Sequence, residues 1–280
     1  MKIYHKIMEY AAQGIPLIVV SVVEKSGEGP VEVGKKMIVT KQNEAFGTVG
    51  GGALEYTARE FCKELLQSKK SMMKTYLLNE GKVLKDTETL PMACGGVVKL
   101  FFEYIGPKEF IYIFGAGHVG QALTNVLKTM NFHITVVDER EEVIQHFKGG
   151  DKVVHMPFVE FIETNGLEEN SFVVVCTPSH KHDYNVINKV IEKQIKLKYI
   201  GMLCSKEKLK DYLEKTYQVF GTKVNLKQFY SPIGLDLGGG SPEEIAISIT
   251  SEILAVSHKK VGHLHMREAL ASDNNHYWED

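Results

Sequence analysis

The stretch from Phe110 to Asp138 constrains the fold of this chain more than any other. Phe110-Ile111-Tyr112-Ile113-Phe114 is an apolar run that breaks into Gly115-Ala116-Gly117-His118-Val119-Gly120. A segment of helical period follows, then the second apolar run Thr135-Val136-Val137, closed by Asp138. A strand, a G-x-G-x-x-G turn, a helix and a second strand ending on an acidic residue form a dinucleotide-binding pattern. Each glycine has its own physical reason. Gly115 allows the tight turn, Gly117 lets backbone N–H groups approach a pyrophosphate, and Gly120 lets the helix pack on the strand. The helix start at His118 offers unpaired donors and a positive dipole end to phosphate oxygens. Asp138 stands where a carboxylate can accept hydrogen bonds from ribose hydroxyls.

Around this segment the 280 residues have room for two domains of ordinary size. The first hundred do not alternate strand and helix. Met1 to Lys6 begins an amphipathic helix, Ile15 to Val23 reads as a strand, and Lys35–Thr40 and Ala45–Val49 read as two more. Gly50-Gly51-Gly52 then launches a helix with Leu54, Ala58, Phe61, Cys62 and Leu65 on one face. Met72–Leu78 and Val97–Tyr104 are further strands. Residues 1–107 are therefore expected to form a smaller N-terminal α+β domain. Gly106-Pro107-Lys108 breaks both helix and strand.

Residues 108–257 take up a βαβ rhythm and predict an α/β fold, a Rossmann-like doubly wound parallel sheet. Leu123, Val126, Leu127 and Met130 form the expected buried stripe of its first helix, and Asp151–His155 and Ser171–Cys176 read as buried strands. Lys198–Gly201 is the next strand. Ser241-Pro242-Glu243-Glu244 is a complete helix start, with Ser at the N-cap, Pro at N1 and Glu at N3. Residues 258–280 turn polar and lose periodicity, as a loose tail does.

Composition narrows the function. A formal net charge of -2 is not the basic balance of a nucleic-acid binder. No apolar run approaches the roughly 20 residues that span a bilayer. The four cysteines, Cys62, Cys94, Cys176 and Cys204, form no CxxC pair, which suits a reducing compartment and a cytoplasmic location.

Ligands of a doubly wound sheet bind beyond the carboxyl ends of its strands. Thr177 to Asp183, Met202 to Ser205, and Asp236 with Gly238-Gly239-Gly240 fall on that edge. His180 and Asp183 are candidate rim residues, and Ser205 is a helix cap. His180, His182 and Asp183 lack a further ligand for a metal site, so none is expected. In the first domain, Gly50, Gly51 and Gly52 expose donors much as the Rossmann turn does, with Glu55 in the following helical turn. Cys94, between Ala93 and Gly95-Gly96, is the cysteine expected to be exposed.

Taken in order, these segments resemble the XdhC/CoxI family of accessory proteins for molybdenum-containing hydroxylases such as xanthine dehydrogenase. The match runs through Gly47-Thr48-Val49-Gly50-Gly51-Gly52 with Glu55, Cys94-Gly95-Gly96, Phe114 to Gly120 and Val136 to Arg140. Thr177 with His180 and Asp183, and Pro232 to Asp236 with Pro242 to Ala246, complete it. One loop departs. Ser26 to Met37 lacks the arginine that the family usually carries before its Gly-x-Lys-Met run.

The resemblance implies a chaperone rather than a metabolic catalyst. It would bind the molybdenum cofactor, as molybdopterin or its dinucleotide form, while a cysteine desulfurase supplies the terminal sulfur. It would then deliver the cofactor to a xanthine-dehydrogenase-type hydroxylase, working as a homodimer. Gly115, Gly117, His118, Gly120 and Asp138 would hold a phosphate- and ribose-bearing part, and Gly50, Gly51, Gly52 and Glu55 another wall. His180 and Asp183 would lie at the rim, and Cys94 would contact sulfur or molybdenum. Two other functions fit the residues: an NAD(P)-dependent oxidoreductase using His118 or His180 as acid/base, and a nucleotide-sensing regulatory module without catalysis.

Overall fold

The structure is a computed structural model and describes residues 2–27, 31–79, 87–91, 96–107, 109–221, 224 and 226–260. The chain divides into two compact units, Met1–Lys108 and Glu109–Asp280. Among the described residues no helix is long and apolar enough to cross a membrane. Cys94, part of the Ser26–Met37 loop and most of the polar tail lie outside the described residues.

In the first unit, helix α1 (Lys2–Ala12) precedes strands β1 (Leu17–Ser26), β2 (Lys36–Thr40) and β3 (Ala45–Gly47). Helix α2 (Gly52–Ser68) then leads to β4 (Met72–Leu78), β5 (Glu88–Leu90) and β6 (Val97–Ile105). The six strands form one sheet in the order β3-β2-β1-β6-β4-β5, antiparallel except where β4 meets β5. Successive side chains point to opposite faces, so the apolar run of β1 serves two cores. Ile18, Val20 and Val22 pack with Leu54, Ala58, Cys62 and Leu65 of α2. Leu17 and Val19, with Ile38 of β2, lie under Ile3, Ile7 and Tyr10 of α1.

The second unit alternates strictly: β7 (Glu109–Phe114), α3 (His118–Leu127), β8 (Phe132–Asp138), α4 (Glu141–His146), β9 (Lys152–His155), α5 (Phe158–Thr164) and β10 (Phe172–Val175). It continues with α6 (His180–Glu192), β11 (Tyr199–Met202), α7 (Lys206–Phe220), β12 (Phe229–Tyr230) and α8 (Pro242–Ser257). All strand pairs are parallel, in the order β12-β11-β10-β7-β8-β9. The chain starts in the middle, winds out to β9, and returns to lay β10 against β7. That is the doubly wound order expected from the sequence, with a switch point between β7 and β10.

Both faces of this sheet are covered, which explains its near-continuous apolar strands. Tyr112, Phe114, Val173 and Val175 face α5, α6 and α7 through Phe158, Phe161, Val186, Ile187 and Tyr212. Ile111, Ile113, Ile134, Val136 and Val174 face α3 and α8 through Leu123, Leu127, Ile249 and Ile253.

Three local expectations change. β9 is not buried, because as the edge strand it pairs only with β8. α3 ends at Leu127, so Met130 lies beyond the helix in the turn that follows, and Val126 is only half-buried. The short strands β5 and β12 carry too few residues for a pattern to show in the sequence.

Candidate functional site

The candidate site lies on the carboxyl edge of the second unit's sheet, at the switch point. Gly115 leaves β7 with φ +121°, a conformation that L side chains rarely adopt, and its N–H donates to the carbonyl of Val137 at 2.9 Å. A Cβ there would stand 2.3 Å from the carbonyl oxygen of Cys176, so the turn presses directly on the end of β10. A Cβ on Gly120 would stand 2.0 Å from the carbonyl oxygen of Gly115, which is the close contact of α3 with the strand. Gly117 differs from both. Its φ is -71°, and a Cβ there would meet nothing within 4 Å. Space lies open above the helix start, where the N-cap provides no side-chain hydrogen bond.

Asp138, at the end of β8, is fully buried. Its Oδ2 accepts from the N–H of Ala116 at 2.8 Å and from Nη2 of Arg140 at 2.7 Å. Its Oδ1 accepts from the N–H and Nε of Arg140 at 3.0 and 2.9 Å. Burial pushes this carboxyl up, but the hydrogen bonds from Arg140 and Ala116 outweigh it and hold the group below its ordinary value. A carboxylate offers about four lone-pair positions. All are met by the protein, so a ribose hydroxyl reaches Asp138 only by displacing Arg140. Asp138 thus ties the turn to β8, a role that lay hidden because Ala116 is far away in sequence.

Beyond β10, the N–H and hydroxyl of Thr177 lie 3.0 and 2.6 Å from Oδ1 of Asp183. Burial raises the Asp183 carboxyl, and the Thr177 hydrogen bonds oppose that rise without cancelling it. Ser179 caps α6 by accepting from the N–H of His182. His182 Nδ1 lies 3.0 Å from Oε1 of Glu139, joining the segment after β8 to the start of α6. His180 is exposed, as is His118 on the first turn of α3. Farther along the edge, Cys204 Sγ lies 3.1 Å from the hydroxyl of Ser231, and Ser205 caps α7. Gly115, Gly117, Gly120 and Asp138 therefore converge. The packing of Gly115 on Cys176 brings the Thr177–Asp183 loop beside them.

The other glycine-rich turns are closed by the chain's own carboxylates. In the first unit, Glu55 Oε1 accepts from the hydroxyl of Thr48 and from the N–H groups of Val49 and Gly51, the latter two at 3.0 and 2.8 Å. Burial raises Glu55, and these bonds outweigh it and lower the group. In the second unit, Glu244 Oε2 accepts from the N–H groups of Gly240 and Ser241, completing the capping box predicted from Ser241 to Glu244. At Gly117, as at Gly51, no side chain caps the helix start and a Cβ would meet nothing within 4 Å, but the N–H of Gly51 goes to Glu55 whereas that of Gly117 meets no acceptor among the described residues. Among the described residues no group of three His, Cys, Asp or Glu side chains could hold a metal ion.

The fold of the second unit defines a Rossmann-type doubly wound module. Comparison with known proteins places it more narrowly. Residues 111–253 match the XdhC Rossmann domain family, and residues 10–77 match the XdhC and CoxI family. The chain belongs to the XdhC family.

Among curated relatives, the Escherichia coli K12 protein "Uncharacterized protein YqeB" is 26% identical over 276 residues, 97% of this chain and 49% of the relative. A Bacillus subtilis 168 protein, named as a probable xanthine dehydrogenase subunit, is 29% identical over 157 residues, 55% of this chain and 45% of the relative. The chain thus spans about half the length of the curated relatives it matches. A solved structure from Bacillus halodurans, named a xanthine dehydrogenase, shares the fold with a TM-score of 0.50 at 18% identity. It covers 95% of this chain and 98% of that one.

Proposed function

We propose that this protein is an accessory factor in the maturation of a xanthine-dehydrogenase-type molybdenum hydroxylase. In this reading it binds the anionic molybdenum cofactor, holds it while a cysteine desulfurase supplies the terminal sulfur, and passes it to the hydroxylase. The carrying observation is the open turn at Gly117. An unfilled helix start with space for a phosphate fits the phosphate-bearing end of a pterin cofactor. Gly115, Gly117, His118 and Gly120 would provide that cradle, with Asp138 holding it in shape. When bound, the cofactor would supply the molybdenum and sulfur chemistry; this chain's residues would bind it and shield it from water. Family membership in both units and the name of the Bacillus subtilis relative support the reading. Cys94 is its candidate sulfur or molybdenum contact, whereas the Gly50–Gly52 turn has Glu55 on its own N–H groups.

The test is mass spectrometry of ligand retained by the anaerobically purified chain. A pterin present well above the background of an unrelated protein is the expected result. Pterin that never exceeds that background refutes the reading.

A second reading draws on the strand order. The β7/β10 switch point beside an open G-x-G-x-x-G turn is where doubly wound sheets hold a dinucleotide. The Rossmann unit would then carry a nucleotide, NAD(P) or the dinucleotide form of the cofactor, as a ligand of the accessory protein. Titration with nicotinamide dinucleotides tests this directly. Turnover on a carbonyl panel would make the chain an oxidoreductase instead.

A further inference from the structure

At the end of the second strand of the Rossmann order, β8, the buried carboxylate of Asp138 offers no free acceptor. The four lone-pair positions of Asp138 are occupied by Ala116 and Arg140. A guanidinium has five N–H donors. Arg140 commits one from Nε and one from Nη2 to Asp138, and among the described residues the remaining three meet no acceptor. The side chain is 33% exposed, so those donors can reach a ligand. Ala116 and Arg140 share Asp138 Oδ2. The guanidinium is therefore no farther from the turn's backbone than two hydrogen bonds laid end to end.

This arrangement reverses what an acidic residue at that position ordinarily selects. A ribose diol is recognised by a carboxylate that accepts from its hydroxyls, and here that acceptor is spent. A phosphate monoester offers only acceptors and suits a planar fork of free N–H groups. We infer that Arg140 is the specificity-determining residue of the Rossmann site. It selects a dinucleotide carrying a 2′-phosphate, of the NADP type, over one whose ribose ends in a diol. The inference rests on the dinucleotide reading of the turn. The neighbouring acids do not cancel it. Glu139 and Glu142 act electrostatically on Arg140 and help to keep it charged. Glu139 is about a third exposed and Glu142 is exposed on α4, where salt screens them, and neither takes the three remaining donors of the fork.

The experiment titrates the full chain with NADPH and NADH by nicotinamide fluorescence, and with 2′,5′-ADP and 5′-ADP by calorimetry. Charge-assisted hydrogen bonds to a phosphate predict about tenfold tighter binding of NADPH than NADH, and of 2′,5′-ADP than 5′-ADP. Arg140→Gln should remove most of that preference. The wild-type ratio stands even if the variant folds poorly. Equal affinities, or tighter NADH, overturn the role of Arg140 while leaving the turn as a dinucleotide site. Binding of none of the four overturns the nicotinamide-dinucleotide reading and this inference together. The accessory-factor reading is judged separately, by the pterin measurement.

Discussion

Alanine at Gly117 should leave the fold nearly intact and abolish ligand binding, whereas alanine at Gly120 or Gly115 should damage the fold. At Gly117 the backbone already has φ -71° and ψ -167°, and the added Cβ finds nothing within 4 Å. A poorer N-cap and a less flexible unfolded chain act in opposite directions, leaving a net change of about 1 kcal/mol or less. At Gly120 the Cβ would sit 2.0 Å from a backbone oxygen that no side-chain rotation can move. Helix and turn must then part, at a cost of about 1–3 kcal/mol or more. Gly115 combines a 2.3 Å approach to the Cys176 carbonyl with a φ of +121°, and the backbone strain alone is worth about 1–3 kcal/mol.

For a unit of this size, each 1 kcal/mol moves the melting midpoint by about 2–4 °C. Thermal denaturation of the four proteins by circular dichroism should therefore place Gly117→Ala beside the wild type and the other two well below it. Ligand titration of the same samples completes the comparison. If Gly117→Ala melts as early as Gly120→Ala, the space above the turn is not open. If Gly117→Ala folds and still binds as the wild type does, the helix start is not the cradle.

Asp138→Asn should cost about 1–3 kcal/mol at neutral pH, because an amide cannot accept all the donors now converging on Asp138. Since the native carboxyl is held below its unfolded value, its contribution is present above about pH 4 and is lost as pH falls through the native value. Melting curves from neutral to acid pH should therefore bring variant and wild type together. Asp183→Asn should behave oppositely. Its carboxyl is raised by burial, so the charged form is a burden above the raised value, and the amide can still accept from Thr177. The variant should melt at or above the wild-type temperature at neutral pH, with the gap closing on acidification. Burial pushes the thiols of Cys62 and Cys176 up to about 12, so iodoacetamide at pH 8 should leave both unmodified in the native protein, as peptide mapping can read.

The features legible in the sequence are those whose partners are close along the chain. The G-x-G-x-x-G turn, the Ser205 cap and the Ser241–Glu244 capping box each span only a few residues and appear where expected. The doubly wound sheet followed from the alternation of apolar runs with helical periods. Features that depend on neighbours distant in sequence were not legible. The edge position of β9 is set by sheet order, and its own residues do not reveal it. The saturation of Asp138 depends on Ala116, across a whole βα unit, and on the fork of Arg140. Glu55 is instructive in the other direction. Its distance of four residues from Gly51 already allowed it to reach back and accept from the N–H of Gly51 in the Gly50–Gly52 turn. Glycine before a helix shows that donors are exposed; a carboxylate one helical turn later decides whether they stay free.

The most direct test of the central claim compares ligand retained by the wild-type chain and by Gly117→Ala, both purified anaerobically and analysed by mass spectrometry. A phosphate-bearing pterin on the wild type and its loss from the folded variant is the predicted result. Equal retention by both, or no pterin on either, would contradict it.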